Sequence, residues 1–186
     1  FLVVAAIYDL RVLPATFDIL NFMCTAYAKA TLKYKNKNIV IQPILVTGQI
    51  KQERQADFVG SYSQEIVDAR IASMLIPSLN LLSFCLQAIV LPSLFSEVIK
   101  LLMKKMDVIY PIDYSLEKPK LYTYYKNSHA ITAASITDIR KLNVPNYWKV
   151  QANKILHLNG IDSNFILLVE RSNTNSPQRG RDSDIN

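Results

Sequence analysis

The stretch that decides the fold is Phe1-Leu2-Val3-Val4-Ala5-Ala6-Ile7, followed at once by Tyr8-Asp9-Leu10-Arg11-Val12-Leu13-Pro14. An unbroken apolar run without alternation reads as a strand covered on both faces, as in the middle of a parallel sheet. Pro14 suits a helix start. From there Phe17, Leu20, Cys24, Tyr27, Ala28 and Thr31 recur at helical spacing. Asp18 falls in the first turn, and Lys29 and Lys33 near the far end, the charge order that a helix dipole favours. The first helix is therefore expected over Ala15 to Lys33.

Further along, Asn38 to Val46 (NIVIQPILV) repeats the buried-strand signature. Pro43 predicts that this second strand lies near an edge or bends there. Thr47 to Tyr62 reads as a loop over the rim of the sheet. Ser63 to Leu75 reads as a helix, capped by Ser63, with Glu65 in its first turn. Ser83 to Leu91 is the third expected strand, Ser93 the expected cap of a short helix ending in Lys104 and Lys105, and Asp107 to Pro111 the fourth strand. Ile112 to Tyr125 reads as a loop, and His129 to Leu142 and Tyr147 to Leu156 as helices on either side of Pro145. Asn159-Gly160 is a stop signal, and Phe165 to Val169 a new strand.

Strand and helix thus alternate at least four times. The fold class is α/β: a Rossmann-like three-layer domain with a mostly parallel sheet and Phe1 to Ile7 near its centre. This domain is expected over residues 1–160. Residues 161–186 are read as the start of a second Rossmann-like domain, truncated here.

Between Arg70 and Glu97 no residue is charged, and residues 71–96 are long enough to span a bilayer. Pro77, Asn80, Gln87 and Pro92 count against one lipid-exposed helix. The stretch is expected to divide into helix end, loop and strand, with any membrane contact peripheral. A membrane-attached protein using 71–96 is the alternative.

The formal net charge of +6 is spread thinly, with no dense basic block. That suits a basic enzyme surface or a phosphorylated ligand, and no nucleic-acid partner is expected. Cys24 and Cys85 both lie in apolar stretches, as buried reduced thiols do, and no Asn-x-Ser/Thr acceptor occurs. A cytoplasmic location follows as the expectation. Neither cysteine nor His129 or His157 has partners at metal-ligand spacing, so no metal is expected. There is no GxGxxG after the first strand, no P-loop, no GxSxG and no HExxH.

In parallel sheets ligands sit beyond the carboxyl ends of the strands. The loops there are Tyr8 to Leu13, Thr47 to Tyr62, Pro92-Ser93 and Pro111 to Tyr114. Asp9 and Arg11 in the first of these suit the orientation of a sugar or an acid, or else a surface ion pair. After Phe165 to Val169 come Glu170-Arg171-Ser172 and Gln178-Arg179-Gly180-Arg181-Asp182-Ser183-Asp184. Guanidinium forks and serine hydroxyls suit a pyrophosphate. A basic polar tail without a site is the other reading.

The opening FLVVAAIYDLRVLPATFDILNF resembles that of bacterial glycosyltransferases of GT-B arrangement, related at a distance to the fucosyltransferase type. The family pattern is an apolar strand, Tyr-Asp-Leu, then Leu-Pro-Ala-Thr-Tyr/Phe-Asp and an aromatic helix. Here it stands as Tyr8-Asp9-Leu10 and Leu13-Pro14-Ala15-Thr16-Phe17-Asp18. The family's second half opens with a strand, an arginine and an Arg-Asn-Ser-Asn-like turn, matched by Arg171 and Arg181-Asp182-Ser183-Asp184, with two acids in place of the amides.

The resemblance implies transfer of a sugar from a nucleotide-sugar donor to a carbohydrate or other acceptor, with no cofactor and no essential metal. It implies that Arg171, Arg181 and Ser183 meet the donor phosphates, and that Asp9, Arg11 and Asp18 border the acceptor cleft. Asp9 is then the candidate base. The chain alone would be inactive, because the cleft needs both halves. A non-catalytic Rossmann-type module for a nucleotide or a protein is the alternative from another class.

Overall fold

The chain's first strand, β1 (Leu2–Asp9), lies between β2 (Ile39–Thr47) and β4 (Val108–Tyr110), and β3 (Ile89–Pro92) flanks β2 on the other side. All three pairings are parallel, giving the order β3-β2-β1-β4. The computed structural model describes residues 1–48, 63–119 and 144–161. Its helices are α1 (Asp18–Lys33), α2 (Gln64–Arg70), α3 (Ile76–Leu79), α4 (Ser96–Lys105) and α5 (Asn146–Leu158).

Side chains of a strand point alternately to the two faces of its sheet, and β1 shows why its whole sequence is apolar. Val4, Ala6 and Tyr8 enter one buried cluster with Ile19, Phe22 and Met23 of α1 and Leu75 and Leu79 of the later helical run. Ala5 and Ile7 enter a second, smaller cluster with Ile44, Val46 and Ile99 of α4. Helices therefore cover both faces, and the domain is a three-layer α/β, Rossmann-like fold. Phe22 lies at the centre of the larger cluster, 5.2 Å edge-on from Tyr8 and 5.1 Å from Tyr110 between ring centroids. Burying one such side chain contributes about 1.5–3 kcal/mol before its entropy cost.

Pro43 does not mark an edge. It pairs with Ala6 inside β2, which has neighbours on both sides. Ile41 bonds toward β3, its N–H to Phe84 O and its carbonyl to Leu86 N–H, both at 2.8 Å. Alternate residues face the same way, so Pro43's missing N–H also faces that side. Ile41 pairs with Cys85 but Ile44 with Ile89, so three steps along β2 match four along its neighbour. The extra residue bulges where the proline has no donor to give. Gln42 fills the gap, its Nε2 donating to Gln87 O at 2.8 Å. The third strand is accordingly shorter than Ser83 to Leu91.

Residues 71–96 do not form one helix. α2 begins at Ser63, whose Oγ accepts from Ile66 N–H at 3.3 Å. It passes into a π-helical turn, Ile71–Leu75, and then into α3. The wider turn carries the Ile76 N–H back to Ile71 O, just ahead of Pro77, which has no N–H to donate. A loop and β3 follow. Among the described residues no helix is long and apolar enough to cross a membrane. Ser93 is not a cap: α4 begins after Phe95 without a side-chain cap, and Ser93 N–H instead donates to Thr47 O at 2.7 Å.

The chain divides into two compact units, residues 1–143 and 144–186. The first carries the sheet. The second begins at Val144, ahead of α5, where the sequence reading drew its boundary after that helix. α5 ends as Asn159-Gly160 predicts: Gly160, at φ 68°, donates to His157 O, and Ile161 donates to Leu156 O. The expected helix at His129 to Leu142 and strand at Phe165 to Val169 lie outside the described residues.

Candidate functional site

Asp9 is the last residue of β1, and the chain turns there toward α1. In a dinucleotide site the amides of such a turn point at phosphate. Here the chain itself engages the first four of them. Leu10 N–H donates to Val46 O at 2.8 Å, Arg11 N–H to Asp9 Oδ1 at 3.1 Å, and Val12 and Leu13 N–H to Asp9 O at 3.1 and 2.8 Å. Leu10, Val12, Leu13 and Ala15 are buried, and the Tyr8 hydroxyl closes the turn by donating to Pro14 O at 2.8 Å. At the start of α1 the Thr16 hydroxyl donates to Asp18 Oδ2 at 2.7 Å, so a carboxylate already occupies the dipole's positive end. The amides of Leu10 to Leu13 therefore form no anion cradle.

The polar chemistry of the carboxyl edge gathers around Asp9. Arg11 meets it in a fork, Nε to Oδ1 at 2.9 Å and Nη2 to Oδ2 at 2.6 Å. Nη2 also donates to Leu116 O at 2.8 Å, and the Tyr114 hydroxyl donates to Asp9 Oδ2 at 2.9 Å. The pair is nearly dry, with side-chain exposures of 11% for Arg11 and 3% for Asp9. Arg11 is held above its ordinary pKa by the Asp9 hydrogen bond, against the opposing effect of burial. Tyr114 is pushed well above the ordinary phenol value, first by burial and then by the Asp9 charge and hydrogen bond. It is therefore a neutral donor at any physiological pH.

Each Asp9 oxygen already accepts two hydrogen bonds. As placed, Asp9 orients Arg11 and Tyr114. Arg11 keeps something to offer: its Nη1 has no acceptor among the described residues.

Gly48, just past β2, has φ 152°, and a Cβ there would fall 2.4 Å from Ser93 Oγ and 3.4 Å from Arg11 Cδ. The absence of a side chain lets the ends of β2 and β3 close against Arg11. Sequence reasoning placed these loops at the ligand edge but missed Tyr114, Gly48 and Ser93 as individual contributors. Tyr114's only signal was its position after the fourth strand. Gly48's was a lone glycine at a strand end.

Of the expected acceptor-side residues, Asp9 and Arg11 come together; Asp18 lies one turn further on, bonded to Thr16 and not to the pair. Arg171, Arg181 and Ser183 lie outside the described residues. Among the described residues no group of three His, Cys, Asp or Glu side chains could hold a metal ion. Comparison with protein-family models, with curated proteins and with solved structures gives no match.

Proposed function

We propose that this chain carries the acceptor-side domain, and the start of the donor domain, of a bacterial nucleotide-sugar glycosyltransferase of GT-B type. The observation that carries the reading is the Asp9–Arg11–Tyr114 cluster beside a β1–α1 turn whose first four amides, Leu10 to Leu13, are bonded within the chain. Among the described residues, the edge where such folds receive ligands thus carries a polar cluster, and amides 10–13 there are not open to a diphosphate. That combination fits the half of a two-domain transferase that holds the acceptor. In this reading Arg11 Nη1 meets an acceptor oxygen, while Asp9 and Tyr114 fix the guanidinium plane.

The donor diphosphate then falls to Arg171, Arg181 and Ser183, in the segment whose sequence resembles the donor half of the family. The reaction is a substitution at the anomeric carbon: an acceptor hydroxyl oxygen forms the new bond and gives up its proton to water, and the nucleoside diphosphate leaves with the electron pair of the old bond. The protein would work in the cytoplasm, where Cys24 and Cys85 stay reduced.

A second reading has one observation in its favour. Both Asp9 oxygens are engaged by Arg11 and Tyr114, as expected of a Rossmann-type binding module without catalysis. Turnover separates the two. The protein containing this chain is incubated with uridine and guanosine diphosphate sugars and a panel of saccharide acceptors. Acceptor-dependent release of nucleoside diphosphate supports the transferase; ligand binding without release supports the module.

A further inference from the structure

The first unit holds a cavity that the reading above does not use. It has a volume of about 280 Å³ and lies between the second half of α1 and the edge strand β4, away from Asp9. Its floor is apolar and buried, made by Val4, Ala26 and Ala30. Tyr110 lines it from β4, with its ring 5.6 Å below the Lys29 ammonium. Lys29 and Lys33, one helical turn apart and both exposed, carry positive charge along the α1 wall. The single acid in the lining, Asp113, belongs to the loop wall after β4.

An apolar floor under two ammonium groups of one sign selects for an amphiphile. We infer that this cavity binds a small organic anion with an apolar body, its chain on the Val4–Ala30 floor and its charged head toward Lys29 and Lys33. A water's share of liquid volume is about 30 Å³, so the space suits roughly ten non-hydrogen atoms. The site is independent of the transferase reading, because none of its lining residues belongs to the carboxyl-edge cluster.

Octanoate has the right size and charge to probe it, and octylammonium carries the same chain with the charge reversed. Both are titrated by calorimetry and by ligand-observed nuclear magnetic resonance. Octanoate is expected to bind at least tenfold more tightly than octylammonium. Lys33→Ala and Lys29→Ala are each expected to weaken octanoate by roughly tenfold. Ala30→Leu, which fills the floor, is expected to abolish binding while circular dichroism stays unchanged. Equal or tighter binding of octylammonium overturns the inference. So does octanoate binding that both lysine variants leave intact, or no binding of octanoate at all.

Discussion

The Tyr114 hydroxyl donates to Asp9 Oδ2 at 2.9 Å across 105 residues of sequence, tying the loop after β4 to the end of β1. Arg11 adds a second tie through Leu116 O, and Leu116 itself is buried in the smaller core cluster. These contacts span the gap between β1 and β4, where the strand order reverses and ligands of such sheets approach. The cluster is thus both a structural clasp and the polar floor of that crevice.

Removing the carboxylate should expose how much the clasp supports. Asp9→Ala leaves a nearly dry guanidinium without its counter-ion and is expected to lower stability by about 3–5 kcal/mol. Tyr114→Phe removes one of the four donors to Asp9 and should cost about 1–2 kcal/mol. Urea unfolding of the three proteins measures both values. A loss below about 1 kcal/mol in Asp9→Ala would mean that the pair is solvated and that the clasp is not formed in solution.

Alkaline pH should destabilise the fold through three groups. Burial pushes the Cys24 thiol up to about 11 and, helped by Cys24, the Cys85 thiol up to about 12, from an ordinary 9.0. Tyr114 rises from an ordinary 10.0. Above pH 9 the unfolded chain therefore releases these protons first. It binds fewer protons than the folded protein, so stability falls as pH rises. Thermal unfolding midpoints measured from pH 7 to pH 11 should decline beyond pH 9, and less steeply in a Cys24→Ala, Cys85→Ala, Tyr114→Phe variant. Parallel slopes for parent and variant would show that these groups are solvated.

Gly48 offers a sharper test of the close approach at the strand ends. Its φ of 152° and the clash a Cβ would make with Ser93 Oγ both disfavour any side chain. Gly48→Ala should cost about 1–3 kcal/mol. Ser93→Ala in the same chain should recover part of that loss, since it removes the clashing hydroxyl and leaves the backbone strain. A double-mutant cycle with no coupling would show that the two strand ends are further apart than described here.

The layer architecture was legible because burial on both faces leaves a run such as Val3 to Ile7 no polar alternative, and this pattern depends on no distant contact. Helix α1 was legible from its spacing and terminal charges, although Ala15 to Phe17 belong to the turn before it. Pro43 misled because a missing donor is tolerated inside a sheet when the neighbouring strand bulges and a side chain such as Gln42 meets the stranded carbonyl. Neither can be seen in a single strand's sequence. Ser93 misled for a related reason: a residue suited to capping was taken by the end of β2. At the site, Asp9 and Arg11 were legible because they are two residues apart. Tyr114 was not, because only the β1–β4 pairing brings it within reach.

The central claim of the proposal is a division of labour, in which the Arg171–Ser183 segment, and not the described sheet domain, would hold the nucleotide. Calorimetric titration with uridine, guanosine and adenosine diphosphates tests it, in the protein containing this chain and in three variants. One diphosphate at least should bind. Arg171→Ala or Arg181→Ala should weaken it about ten- to a hundredfold, the value of a bidentate guanidinium–phosphate contact. Arg11→Lys, which keeps a charge beside Asp9 but loses the fork, should leave the affinity unchanged. Loss of binding in Arg11→Lys with both tail variants intact, or no binding of any of the three diphosphates, would contradict the account.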